Sequence, residues 1–207
     1  MKTLYSWEVL DPVILKSAGP ITAAFEALGV KDFRAAAAYI HRIPYGRTAH
    51  PDDLFGVIRE HRGTCSTKHA LLCRLALEQD LKIALVIGIY RMNARNTPGV
   101  GKVLESYGLD SLPEAHCFLR SGKMRVDVTR MTKREPSEKI SHFIHEEDIS
   151  PDQIREYKSA LHRRFLAQWI EETATGNKYE LDGLWRIREE CIASLAECNE
   201  EGGVSRR

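Results

Sequence analysis

The sequence predicts an α+β fold. Three stretches carry that prediction: a helix that opens at Thr64-Cys65 and runs to about Gln79, a β-rich run Ile83-Ala84-Leu85-Val86-Ile87-Gly88-Ile89, and a 115–129 segment with the pattern of a hairpin. At the helix start, Thr64 is an N-cap whose side-chain oxygen accepts a hydrogen bond from a first-turn amide. Gly63 lets the chain turn into the helix without a Cβ clash. Cys65 then falls in the first turn, where free N–H groups and the positive end of the helix dipole favour thiolate over thiol. A thiol of reference pKa about 8.5 is thereby drawn into the reactive range.

The remaining elements follow in order. Residues 1–16 read as a short strand or extended arm. Pro20 opens a helix with Ile21, Phe25 and Leu28 on one face, and Gly29 ends it. A second helix runs from about Asp32 through Ala35–Ala38 to His41 and is broken by Ile43-Pro44-Tyr45-Gly46-Arg47. Pro51-Asp52-Asp53 starts a short helix that turns Leu54, Val57 and Ile58 to the core. After it, Leu71, Leu72, Leu75 and Ala76 form the buried stripe of the Cys65 helix, and 81–90 is the central strand. The polar, glycine-bearing 93–113 connection carries a helix at Val100–Tyr107, and 131–149 is a surface connection. Ser150-Pro151-Asp152 reads as N-cap, first residue and acidic first turn of a helix with Ile154, Tyr157, Leu161, Phe165 and Trp169 at helical spacing. A last helix carries Leu181, Leu184, Trp185, Arg188, Cys191, Ile192 and Leu195 before a frayed tail at 200–207.

A chain of 207 residues is expected to form one domain spanning 1–207. Its 43% hydrophobic and 29% charged residues are those of an ordinary soluble protein. Lys plus Arg number 30 against 29 Asp plus Glu, a balance that gives no reason to expect a nucleic-acid or acidic-membrane partner. Met1–Glu8 lacks the apolar core of a secretion signal, and no run approaches membrane-spanning length. Cys65, Cys73, Cys117, Cys191 and Cys198 are odd in number and lack scaffold spacing, so reduced thiols in the cytoplasm are expected.

The hairpin supplies geometry. With Ser121-Gly122 as a two-residue loop, Arg120 pairs with Lys123 and His116 lies directly opposite Asp127. Directly opposed side chains share a face with Cβ atoms about 4.5–5.5 Å apart. Cys117, Leu119, Met124, Val126 and Val128 then form an apolar face, and a slip of one residue would bury His116 and Asp127 among them. A histidine held by a carboxylate, with a helix-start cysteine, is the set of groups that nucleophilic acyl chemistry requires. The Cys65 amide is one expected donor to the oxyanion.

Gly63-Thr64-Cys65 opening a helix, His116 at the start of a strand and Asp127 on the next resemble the transglutaminase-like cysteine enzymes. Ile43–Arg47, Asp52–Ile58 and Ile83–Gly88 fall in that family's order, so the resemblance covers about residues 30–130. It implies a papain-type core, a helix-start cysteine packed against an antiparallel sheet, with extra helices at about 150–198. It implies catalysis by Cys65, His116 and Asp127 through a thioester, with a peptide, amide or acyl substrate and neither cofactor nor metal. Phe118 stands where many members carry tryptophan, and no glutamine for the oxyanion hole is evident. Tyr45 or a nearby amide takes that role in the expectation, with Thr64 and Glu114 as further oxyanion or substrate candidates, Glu114 as a solvated or substrate-facing carboxylate. The 93–113 connection and the C-terminal helices are expected, by elimination, to shape the cleft. Three other readings compete: a non-catalytic binding module of the same fold, an acyl-CoA-dependent N-acyltransferase with the same triad, and a metal site on the stripe Cys65, His69 and Cys73. For that stripe, His69 and Cys73 as packing residues is the stronger reading, because structural zinc uses ligands paired on turns.

Overall fold

The structure is a computed structural model that describes residues 4–129, 137–173 and 178–200. In chain order its elements are β1 (Leu4–Tyr5), α1 (Pro20–Ala27), α2 (Phe33–Arg42), α3 (Gly56–Arg59), α4 (Cys65–Glu78), β2 (Ile83–Met92), α5 (Gly101–Ser106), β3 (Leu112–Ser121), β4 (Met124–Val126), β5 (His145–Ile149), α6 (Glu156–Glu172) and α7 (Leu181–Glu200). The strands form one sheet in the order β1-β4-β3-β2-β5. Neighbours among β4, β3, β2 and β5 run antiparallel, and β1 joins β4 in parallel at one edge. The fold is α+β, and its sheet is antiparallel over four strands.

Both faces of the sheet are covered, which is why β2 reads as a nearly continuous apolar run and β3 is buried along most of its length. Leu85, Ile87 and Ile89 join Ala115, Cys117 and Leu119 in a core with Phe25, Phe33, Leu71 and Leu75 of α1, α2 and α4. Val86, Tyr90 and Phe118 face the other way, into a core with Leu104 of α5, Leu166 and Trp169 of α6, and Leu184 and Ile187 of α7. Gly88 serves this second packing: a Cβ there would sit 2.4 Å from the Phe143 ring. Among the described residues no helix is long and apolar enough to cross a membrane.

Several expectations need correction. The hairpin loop is Gly122-Lys123, with Ser121 paired to Met124 and Leu119 to Val126, so His116 and Asp127 are not directly opposed. Gly122 has φ 57°, and its positive φ is used at the first loop position rather than the second. The observed pairing differs from the expected one by two residues. Because side chains alternate with period two, the same residues still face the same way, and Asp127 falls diagonal to His116. β3 begins at Leu112, so His116 lies inside the strand rather than at its start.

The expected surface connection at 131–149 contains β5, which pairs with β2; its residues 131–136 lie outside the described ones, as does the 201–207 part of the expected tail. α3 starts at Gly56, after turns over 51–55, and Leu28 is exposed rather than on the inner face of α1. Ser150 and Pro151 do start a helical turn, capped by Gln153, but it is a separate 3₁₀ turn before α6. On α6 the inner stripe is Lys158, Leu161, His162, Leu166 and Trp169, while Tyr157 is exposed.

Candidate active site

α4 opens as its sequence dictates. The Thr64 hydroxyl accepts from the Thr67 amide at 3.4 Å, and Thr67 Oγ1 accepts from the Thr64 amide at 3.0 Å, a reciprocal box that fixes the first turn. Gly63 is needed for space rather than for a left-handed φ. A Cβ there would meet Lys68 Cγ at 2.9 Å and Val57 at 3.2 Å. Backbone bonds from Gly63 to Pro44 and from Gly46 to Gly63 hold the 44–46 loop against this entry. Thr64 is thus committed to the cap, and Tyr45 is carried to the same wall as Cys65.

β4 ends at Val126 and reaches only Leu119–Ser121 of β3, so among the described residues the preceding part of β3 has no strand neighbour on that side. The start of α4 and the chain leaving β4 meet β3 in that gap. There His116 Nε2–H donates to Asp127 Oδ2 at 2.8 Å, which leaves Nδ1 for the Cys65 thiol. Asp127 Oδ1 accepts from the Thr129 amide at 2.7 Å. Burial works against charge on His116, but the Asp127 carboxylate and the Cys65 thiolate outweigh it and push the imidazole up to about 10. Burial likewise opposes the Asp127 charge, and His116 outweighs it and holds the carboxyl down to about 2. The Cys65 thiol is held well below its ordinary range by hydrogen bonding from Cys117 and, against burial, by the cations of Lys158 and His116. The residues expected as a triad are together.

Two further residues complete the surroundings: His69, expected only to pack, and Lys158, which the sequence reading did not single out. His69, fully buried one turn along α4, donates from Nδ1 to the Cys65 carbonyl at 2.7 Å and accepts the Val128 amide on Nε2 at 2.9 Å. It ties the nucleophile's turn to the residue that follows Asp127. Burial holds it down to about 4, so it is neutral at pH 7. Lys158 of α6, nine-tenths buried, donates to Ser66 Oγ at 2.8 Å and points Nζ at Cys65 Sγ from 3.7 Å. Burial opposes its charge, and the Cys65 thiolate outweighs burial and raises its pKa. The signal for Lys158 was its place at helical spacing between Ile154 and Leu161, on a face otherwise apolar.

A cleft of about 210 Å³ opens on Cys65, with Tyr45, Thr48, Lys158, His162 and Arg188 in its wall. Nine of its lining residues lie between Ile154 and Ile192, as expected of the C-terminal helices, but none comes from 93–113. Glu114 is not substrate-facing. It is buried and takes both Nε and Nη2 of Arg188, at 2.8 and 2.7 Å, with His162 Nε2 at 3.9 Å. Burial would raise its pKa, and Arg188 outweighs that and keeps it ionised. The Tyr45 hydroxyl is pushed up by burial and by the Cys65 thiolate, so it remains a neutral donor beside the sulfur. No family model, curated protein or solved structure matches this chain.

Proposed function

We propose that this chain is a cysteine enzyme of the transglutaminase-like, papain-type kind, which carries an acyl group on Cys65 as a thioester. The observation that carries the reading is the 2.8 Å His116–Asp127 hydrogen bond beside a thiol that its surroundings hold as thiolate. The thiolate attacks the carbonyl of an amide or other acyl donor. Negative charge moves to the carbonyl oxygen, where the Cys65 amide, free of an intrahelical partner, donates to it. His116 gives its proton to the leaving group as the carbon–leaving-group bond breaks. The neutral imidazole then takes a proton from water or an amine, which attacks the thioester and frees Cys65. Asp127 keeps the ring oriented and stabilises its cationic form throughout. Lys158 is the thiolate's second counter-ion. His69 holds the turn that bears the sulfur, and so acts through position.

The test is the pH dependence of Cys65 alkylation by iodoacetamide, followed by mass spectrometry in wild type and His116→Ala. Cys65 is expected to react fast below pH 7, ahead of Cys73 and Cys117, and the variant is expected to lose that lead. Titration of Cys65 near 8.5 without regard to His116 would remove the enzyme reading.

A further inference from the structure

The cleft wall contains four cations, and three of them already hold carboxylates. Arg47 takes Glu189 at 2.6 Å, Arg155 takes Asp52, and Arg188 takes both Glu114 and Glu189. Lys158 differs. Among the described residues no carboxylate lies within ion-pair distance of its ammonium, and its hydrogen bonds go to Ser66 Oγ and Cys65 Sγ. In the free enzyme the Cys65 thiolate is its nearest counter-charge, and the Glu114 carboxylate, already held by Arg188, acts on it from beyond ion-pair distance. A lysine ammonium has three N–H donors, so one is left over. Two more groups belong to the same wall: Thr48 Oγ1, buried and without a hydrogen-bond partner among the described residues, and the neutral Tyr45 hydroxyl.

Acylation changes this balance. The sulfur–carbon bond forms, the carbon–leaving-group bond breaks, and the leaving group departs with the proton of His116. Lys158 has then lost its nearest counter-charge and faces a neutral thioester, a buried cation that an anion on the acyl group would satisfy. We infer that the acyl group this site accepts carries its own negative charge, a carboxylate a few bonds from the reacting carbonyl, held by Lys158 with Thr48 and Tyr45. The substrate class is an amide or ester of a dicarboxylic acid. The inference rests on Cys65 being the acyl carrier.

Two adducts of the full chain test it. Iodoacetate and iodoacetamide leave groups of nearly equal size on Cys65, one ending in a carboxylate and the other in a neutral amide. Both adducts form at high pH whether or not Cys65 is activated, so their comparison is independent of the reaction proposed above. The carboxymethyl form is expected to melt about 3 °C or more above the carbamidomethyl form at pH 7. Below pH 7, the ratio of iodoacetate to iodoacetamide rates at Cys65 is expected to exceed that of the urea-unfolded chain about tenfold. Lys158→Met is expected to erase both differences and Lys158→Arg to preserve their sign. Cys65→Ser treated in parallel subtracts adducts on the other cysteines. The wild-type comparison needs no variant to fold. Equal melting of the two adducts, with a rate ratio like that of the unfolded chain, would overturn the inference. Loss of His116-dependence with iodoacetamide would instead overturn the enzyme reading.

Discussion

Replacing His69 with glutamine asks whether the imidazole that joins α4 to the end of β4 is kept neutral by its burial. The side chain is fully buried, with Nδ1 2.7 Å from the Cys65 carbonyl and Nε2 2.9 Å from the Val128 amide. Only the neutral tautomer protonated on Nδ1 satisfies both contacts. Burial holds the group down to about 4, against 6.5 for an unperturbed histidine. The folded value is the lower one, so between the two the unfolded chain binds the extra proton. The stability this group contributes is full above pH 6.5 and is lost as pH falls towards 4. From pH 7 to pH 5 the loss is about 2 kcal/mol. Urea denaturation of wild type and His69→Gln at both pH values is the assay. Weakening the contact to the Val128 amide lowers the variant's stability at pH 7 by about 1–3 kcal/mol. Its further loss on going to pH 5 is expected to be smaller than that of wild type by about 2 kcal/mol. An equal loss in the two proteins would refute a neutral, buried His69.

Three other perturbations have defined outcomes. Asp127→Asn keeps the shape of the side chain and removes its charge, so His116 is expected to fall from about 10 by about 1–3 pH units; an unchanged NMR titration of His116 contradicts this. Glu114→Gln leaves the buried Arg188 with Glu189 as its remaining carboxylate and is expected to cost about 3 kcal/mol in urea denaturation. Adding Arg188→Met should restore most of that, and failure to do so would mean that the cost lies elsewhere than in the stranded charge. Gly88→Ala drives a methyl to 2.4 Å from the Phe143 ring, with an expected loss of about 1–3 kcal/mol. Wild-type stability there would mean that the ring yields without strain.

How much of this was legible in the sequence follows from what each residue had to satisfy. α4 was legible because its signals are local: a cap, a glycine that fits the entry, and an apolar stripe all within one segment. β2 was legible because burial on both faces leaves a run of apolar residues. The hairpin's register was not. A loop at Ser121-Gly122 and one at Gly122-Lys123 both place a glycine in a tight turn, and registers two residues apart turn the same side chains inward, so the apolar pattern cannot choose between them. His116 and Asp127 still meet because a diagonal pair remains within reach. β5 was hidden by its charges. It is an edge strand whose Glu146 and Asp148 pair with Arg125 and Arg120, so its sequence lacks the apolar alternation that marks a strand.

On α6 the expected inner face is observed at Leu161 and Trp169 and fails at Tyr157, for a more instructive reason. Its hydrophobic residues alone point Tyr157 and Phe165 inward with Leu161, yet the helix turns Lys158 and His162 to the sheet and leaves Tyr157 outside. β3 makes the same exchange at Glu114 and His116, two polar residues inside a strand that is buried along most of its length. Stability alone gives little account of these choices, since apolar side chains of similar volume would fill the space and avoid the cost of desolvating charge. What the buried polar groups share is position: Lys158 and His116 lie at Cys65, and His162 and Arg188 line the cleft in front of it with Glu114 behind. A polar residue that breaks an apolar stripe is therefore the most informative kind of position in this chain. α4 supplies the sulfur from one core and α6 brings an ammonium to it from the other side of the cleft, so the reactive state of Cys65 depends on packing of helices whose sequence, taken alone, shows only an amphipathic pattern.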